Sequence, residues 1–371
     1  MQRTEISAER FYMAAVLETG GIGAARIHVL KRLLPTAEAI WKASHSELLT
    51  AGLTEDAAEK LTAFRREHPD RPMELQESAG VLGITLLSPE DELYPTLLKE
   101  IHLPPPILFC QGDVSLPAQP AIAVVGARKA SPYGKSAAAE LSRDIAGQGF
   151  TIVSGGARGI DSAAHQGALL RGRTIAVLGC GVDVVYPREN AKLFAQIREE
   201  GLIVSEYTPG TQPLPAFFPM RNRIIAGLSK GTVVVEAAKR SGSLITAELS
   251  LSEGRDVFAV PGSIYSETSA GTNHLIQQGA KLVTTARDVV GEYMEQEPPA
   301  SRNREDEVPA GLSTDEIRIY KLLSKDVSLS MDEIIFKTHG DTANVAFLLL
   351  GLQLKGVVAE TEAQGYLRAI R

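Results

Sequence analysis

The feature that most constrains this chain is a series of six short apolar runs between residues 120 and 290. They lie at 121–125, 151–153, 174–178, 202–204, 232–235 and 257–260, and helical stretches separate them, the first from about Tyr133 to Gln148 and the second from about Ile160. Short β-branched runs alternating with helices specify a parallel sheet covered on both faces. Such sheets bind ligands at the carboxyl ends of their strands. The residues just after each run are therefore the candidate site.

The flanks read differently. Residues 5–66 are expected to be helical, with Thr19-Gly20-Gly21-Ile22-Gly23 between a helix at 10–17 and another at 24–34 that stops at Pro35. Gly-Ile-Gly between helices resembles a helix-hairpin-helix turn, whose N–H groups meet a phosphate. An αα-corner in which the glycines serve only close packing is the alternative. Ile84 to Leu87 is an expected strand, and Pro104-Pro105-Pro106 keeps the next segment extended. Residues 295–312 are polar and proline-bearing, as a linker is. Beyond them, helices capped by Ser313 or Thr314 and by Ser330, a third at 342–355, and a hairpin of 357–360 with 366–369 follow the winged-helix order. The third helix has one Lys and no Arg, poor equipment for a major groove, so a protein-contact or accessory role is expected of that unit. The expected class is α/β: a helical domain (1–72), an extended Rossmann-like domain (73–294), a linker (295–312) and a winged-helix-like domain (313–371).

Composition excludes several functions. No apolar run reaches the ~18–20 residues that cross a bilayer, and residues 1–5 open no secretory segment. A cytoplasmic protein is expected. Cys110 and Cys180 are too few for a disulfide scaffold. The net charge of −7 divides unevenly: −6 over residues 1–119, +4 over 120–290 and −5 over 291–371. The local field, not the sum, acts on an anionic ligand. The first strand end lacks Gly-x-Gly-x-x-Gly, and the chain has no Gly-x-x-x-x-Gly-Lys loop and no His-Glu-x-x-His. No cofactor or metal is expected. His165 reads as a packing residue, and Asp161 as a first-turn residue favoured by the helix dipole.

The strand ends supply glycine turns, helix starts and cations together. Gly126-Ala127-Arg128 and Ser131 follow the first run, and Ser154-Gly155-Gly156 with Arg158 the second. Phe217, Phe218 and Arg221-Asn222-Arg223 follow the fourth. Lys239 and Ser241-Gly242-Ser243 follow the fifth. Glycines admit close backbone approach to an anion, helix starts aim N–H groups at it, and Arg grips phosphate in bidentate fashion. Phe217 and Phe218 are candidates to stack a base. The alternatives are core packing for the phenylalanines and structural ion pairs for the arginines.

These segments resemble the DNA-processing protein A family, also called Smf or DprA. The resemblance rests on Val124-Val125-Gly126-Ala127-Arg128, Ser131-Pro132-Tyr133-Gly134, Ser154 through Asp161, Gly179-Cys180-Gly181, Tyr186-Pro187, Arg221 through Ser229, Val235-Glu236-Ala237, Ser241 through Ala247, Val260-Pro261-Gly262 and Gly271-Thr272-Asn273. It runs over about residues 80–290. It implies a single-strand DNA-binding protein of natural transformation that protects incoming strands and helps load the RecA recombinase. It also implies no enzymatic activity and a homodimer formed through the Rossmann-like domain. The family's DNA pocket carries over to Arg128, Ser154-Gly155-Gly156, the Phe218 and Arg221-Asn222-Arg223 segment, and Lys239 with Ser241-Gly242-Ser243. Two positions depart. Met220 stands where many relatives have a cation, and Phe217 where many have a polar residue. The expectation is a salt dependence flatter by about one phosphate contact, with Phe217 stacking in exchange. The rivals are a nucleoside-monophosphate phosphoribohydrolase using Glu236 and a purely structural partner of recombinases.

Overall fold

The computed structural model describes residues 2–294, 309, 311–324, 328–338, 340–361 and 365–369. Among them, six helices precede the sheet: α1 (Gln2–Glu18), α2 (Ala24–Leu30), α3 (Ala37–Lys42), α4 (His45–Thr50), α5 (Glu55–Glu67) and α6 (Arg71–Leu82). Their starts are chemically marked. Thr36, Ser44 and Thr54 each accept a bond from an N–H three residues on, which satisfies a donor that the first helical turn leaves open. The turn between α1 and α2 closes on itself: Ile22 is buried and Arg26 donates to the Gly21 carbonyl. α6 runs across the boundary expected at residue 72. Its Arg71 bridges to Glu18 of α1 at 2.7 Å, and Leu75 and Ala79 enter the helical core.

A nine-stranded sheet follows, built from β1 (Thr85–Leu87), β2 (Leu108–Gly112), β3 (Ala121–Val125), β4 (Thr151–Ser154), β5 (Thr174–Val177), β6 (Leu202–Ser205), β7 (Gly231–Val234), β8 (Asp256–Ala259) and β9 (Lys281–Leu282). Its order is β1-β2-β6-β5-β4-β3-β7-β8-β9. The seven strands β6 to β9 pair in parallel, and β2 joins β6 antiparallel with β1 beyond it. All six expected runs are strands. The extended stretch after the three prolines gives β2, and with β1 it adds an antiparallel edge that apolar patterning alone does not place. β3 to β7 are buried along their whole length, as a sheet covered on both faces requires.

The helices between the strands are α7 (Thr96–Lys99), α8 (Pro132–Ala146), α9 (Ile160–Leu169), α10 (Ala191–Glu200), α11 (Phe217–Leu228), α12 (Gly242–Ser252), α13 (Ala270–Gln277) and α14 (Ala286–Val290). One face packs Leu141 and Ile145 of α8 and Ala164 of α9 on Ile122, Val124 and Ile152. The other packs Ile224, Ile225 and Leu228 of α11 and Ala247 of α12 on Ala123, Val125 and Val153. The N-terminal helices share a core with Phe109, Leu178, Phe194 and Ile203, so the helical segment is continuous with the sheet. Each such large apolar side chain contributes about 1.5–3 kcal/mol when fully buried. The strand order reverses between β3 and β7. A crevice therefore opens at their carboxyl ends, where doubly wound sheets bind ligands.

The last unit contains α15 (Thr314–Leu322), α16 (Met331–Thr338) and α17 (Thr342–Leu354), with β10 (Leu329–Ser330), β11 (Val358–Glu360) and β12 (Gly365–Arg368) in the order β10-β12-β11. Ser313 and Ser330 cap α15 and α16, each with a glutamate three residues on returning a bond. The short β10 adds a strand that was not expected. The expected linker, apart from Pro309, Gly311 and Leu312, lies outside the described residues, as do Ala363 and Gln364 of the hairpin turn. No helix among the described residues is long and apolar enough to cross a membrane.

Candidate nucleic-acid interface

The crevice at the switch point is a cleft of about 490 Å³. Gly126 and Arg128 reach it from the end of β3, Ala157 and Asp161 from the end of β4, and Tyr186 from the loop after β5. Pro215, Phe218, Arg221 and Asn222 come from α11 and the segment before it, and Ser241, Gly242 and Ser243 from the start of α12. Segments more than a hundred residues apart meet here because the parallel crossovers return every strand end to one edge.

Arg128 is exposed, and its guanidinium lies 5.1 Å from the Phe218 ring centroid. That cation–π contact orients the charge without neutralising it. Arg221 is the opposite case. It is 4% exposed, and Nη1 donates to the Gly155 carbonyl at 2.7 Å and to the Val177 carbonyl. Nη2 takes part in neither bond. Burial pulls its pKa down to about 10, Arg128 pulls the same way, and Asp161 opposes both. Asp161, itself buried, accepts from the Ala157 N–H at 3.3 Å, and burial pushes its carboxyl up against the pull of Arg221. Gly155 makes room for this pair. A Cβ there would lie 2.6 Å from Arg221 Nη2 and 2.7 Å from Asp161 Oδ2, closer than packing tolerates.

The other candidates divide between the cleft and its supports. Ser154, Gly155 and Gly156 are buried beneath the surface, and Ser154 Oγ donates to the Val124 carbonyl at 2.6 Å. Ser131 caps α8 through the Gly134 N–H, while its own N–H and Oγ donate to Glu236 at 2.9 and 2.5 Å. Arg223 is held by Glu206 in a two-bond pair at 2.6 and 3.2 Å. Arg158 pairs with Glu189 at the surface, an exposed contact worth about 0–1 kcal/mol. Phe217 stacks on Tyr207 at 4.1 Å, outside the cleft lining. Lys239 is exposed on the turn leading into α12. The first N–H of α9, on Ile160, is taken by the Ala127 carbonyl at 3.2 Å. At the start of α12 Ser241 Oγ accepts from the Ser243 N–H at 3.4 Å, so all three helix starts read as anion sites are engaged by the protein itself.

Glu236 is 2% exposed and accepts from Ser131 twice and from Thr268 Oγ1 at 3.1 Å. It ties α8 to the loop before α13 and does not line the cleft. A hydrolase would need this carboxylate facing substrate. His165 is buried against Thr174, at 2.7 Å, with its pKa drawn down to about 3 by burial, so it is neutral. Burial raises the Cys110 thiol to about 12 and the Cys180 thiol to about 11. Among the described residues no group of three or more His, Cys, Asp or Glu side chains could hold a metal ion.

Residues 85–294 match the family model described as DNA recombination-mediator protein A. The chain belongs to that family. It is 50% identical over 204 residues to DNA processing protein DprA of Streptococcus pneumoniae, covering 55% of this chain and 72% of that one. It is 40% identical over 264 residues to DNA processing protein DprA of Bacillus subtilis, covering 69% and 89%. Among solved structures, DNA processing protein A from Streptococcus pneumoniae superposes with a TM-score of 0.68 at 39% identity, over 77% of this chain and 99% of that one. DNA processing protein A from Helicobacter pylori, described for its single-stranded DNA binding mode, superposes with a TM-score of 0.52 at 32% identity, over 57% and 95%.

Within this member of the DNA recombination-mediator protein A family, the cleft also contains residues that reading the strand ends passed over. Tyr186 lies well past the end of β5, where loop length removes any positional signal. Pro215, Ile245 and Thr246 line the wall. Asp161 has a larger part than a first-turn residue, because Arg221, sixty residues away in sequence, folds over it.

Proposed function

We propose that this chain binds single-stranded DNA along the cleft at the ends of β3, β4 and β7. It thereby protects incoming strands in natural transformation and helps load RecA for recombination. The single observation that carries this reading is the convergence of an exposed, ring-oriented Arg128, the Arg221 guanidinium and the Ser241-Gly242-Ser243 helix start in one open cleft. An exposed arginine above a cleft floored by Arg221 and a helix start suits a sugar-phosphate backbone, and the apolar wall suits bases. The single-strand binding described for the Helicobacter pylori relative supports it.

The same proposal takes the protein as a cytoplasmic homodimer joined through its Rossmann-like domain, without enzymatic activity. Its C-terminal unit is winged-helix-like and accessory. The helical domain (1–72), Rossmann-like domain (73–294), linker (295–312) and C-terminal domain (313–371) divide the work, with α6 straddling the first boundary.

The test is a titration of fluorescent oligothymidine, run beside an assay for free base released from AMP. Saturable binding without base release is the expected result. Base release without DNA binding would move the assignment to a nucleotide hydrolase.

A further inference from the structure

Both phenylalanines that the sequence offers for base stacking are already engaged. Phe217 lies nearly parallel to Tyr207, with ring centroids 4.1 Å apart and planes 24° apart. Phe218 carries the Arg128 guanidinium at 5.1 Å and the Tyr186 ring at 5.6 Å, tilted by 37°. Its other surroundings are close as well: a Cβ on Gly179 would lie 3.2 Å from the Phe218 ring. Tyr186 is different. It is 42% exposed, it lines the cleft, and its hydroxyl makes no hydrogen bond among those of the described residues. One side of its ring rests against Phe218, and the rest stays open to the cleft beside Arg128.

We infer that Tyr186 is the platform on which a base of the bound strand stacks, with the half-buried Phe218 as the wedge that fixes both Tyr186 and Arg128. This rests on the reading of the cleft as a single-strand site and names the residue that reads bases there. The arrangement separates two tasks. Arg128 meets phosphate on one side of the Phe218 ring, and Tyr186 meets a base beside it. A ring accepts any base face, so this contact adds affinity without sequence preference.

The experiment compares two probes on the full chain: fluorescent oligothymidine and an abasic oligomer with the same number of phosphates. Tyr186→Ala is expected to weaken oligothymidine binding about ten-fold, the loss of one base–aromatic stack, and to leave abasic binding unchanged. Tyr186→Phe keeps wild-type affinity for both. Tyr186→Trp gives emission that oligothymidine quenches and the abasic oligomer does not; Trp41, buried in the helical core, supplies a constant background. An equal loss on both probes, or no loss on either while wild type binds both, overturns the role of Tyr186 alone. Wild type binding neither probe overturns the single-strand reading and this inference together.

Discussion

At the carboxyl ends of β3, β4 and β7, side chains from segments far apart in sequence meet in one cleft. On α17 of the C-terminal unit, the exposed side chains are Thr342, Ala343 and Asn344 in its first turn and Phe347, Leu350 and Leu354 beyond it. Lys355, just past its end, is held by Glu316 at 2.7 Å. Both regions contain well-capped helices, so helix starts do not separate them. Topology does. A parallel sheet returns every strand end to the same edge, and modest local charge becomes concentrated charge. A lone helix shows only its own residues, and none of those exposed on α17 is charged. An acidic chain can in this way gather cations at one edge of its sheet.

The comparison breaks most sharply at Arg221. Arg221→Ala removes the buried guanidinium that holds the Gly155 and Val177 carbonyls and faces Asp161. Losing one partner of such a buried arrangement costs roughly 3–5 kcal/mol. Urea denaturation should show that loss, and oligothymidine binding should vanish with it. Arg221→Lys should rescue only in part: one nitrogen, Nη1, holds both carbonyls, but an ammonium lacks the second nitrogen and the planar shape of the guanidinium. A fully stable Arg221→Ala protein would remove this support from the cleft.

Acid sharpens the contrast from another side. His165, beneath the sheet, is neutral when folded, with its pKa drawn from 6.5 to about 3. The unfolded chain therefore binds the extra proton between pH 6.5 and about 3, and stability falls as the pH drops through that window. The slope is about 1.4 kcal/mol per unit from this group alone. Denaturation midpoints between pH 7 and 5 should fall in wild type and stay flatter in His165→Gln. Equal slopes would mean that His165 is not held neutral.

Smaller effects follow. Phe217→Ala should cost stability by about 0.5–1.5 kcal/mol from its pair with Tyr207, beyond the area lost, and leave DNA affinity within about two-fold. That result would settle the exchange expected at Phe217 and Met220 in favour of packing. Deleting residues 313–371 should have the smallest effect of all on single-strand affinity. A large loss on that truncation would mean that α17 takes part in binding.

The strand-rich middle was legible because every interior strand is short, β-branched and buried on both faces, so that period and composition agree. The caps at Ser313 and Ser330 were legible for a similar reason: their chemistry is local. What sequence could not rank was exposure. Arg128, Arg158, Arg221 and Arg223 read alike in the chain. Arg128 is free to meet a ligand, while Arg221 braces two strand ends, Arg223 belongs to Glu206, and Arg158 has a weak surface partner. Those partners lie 17 to 66 residues away from the arginines they hold in three of these cases. For β1 and β2, expected as a strand and an extended stretch, the hidden part was their place at the sheet's antiparallel edge, since joining a sheet depends on a neighbour supplied by β6.

The most direct measurement is the salt dependence of oligothymidine binding by wild type and Arg128→Ala. The plot of log affinity against log salt should be steep for wild type. In the variant it should flatten by about 0.7, one single-strand phosphate contact, with affinity lower at every salt concentration and the denaturation midpoint unchanged. Identical slopes and affinities for the two proteins would contradict a phosphate-binding cleft at the strand ends.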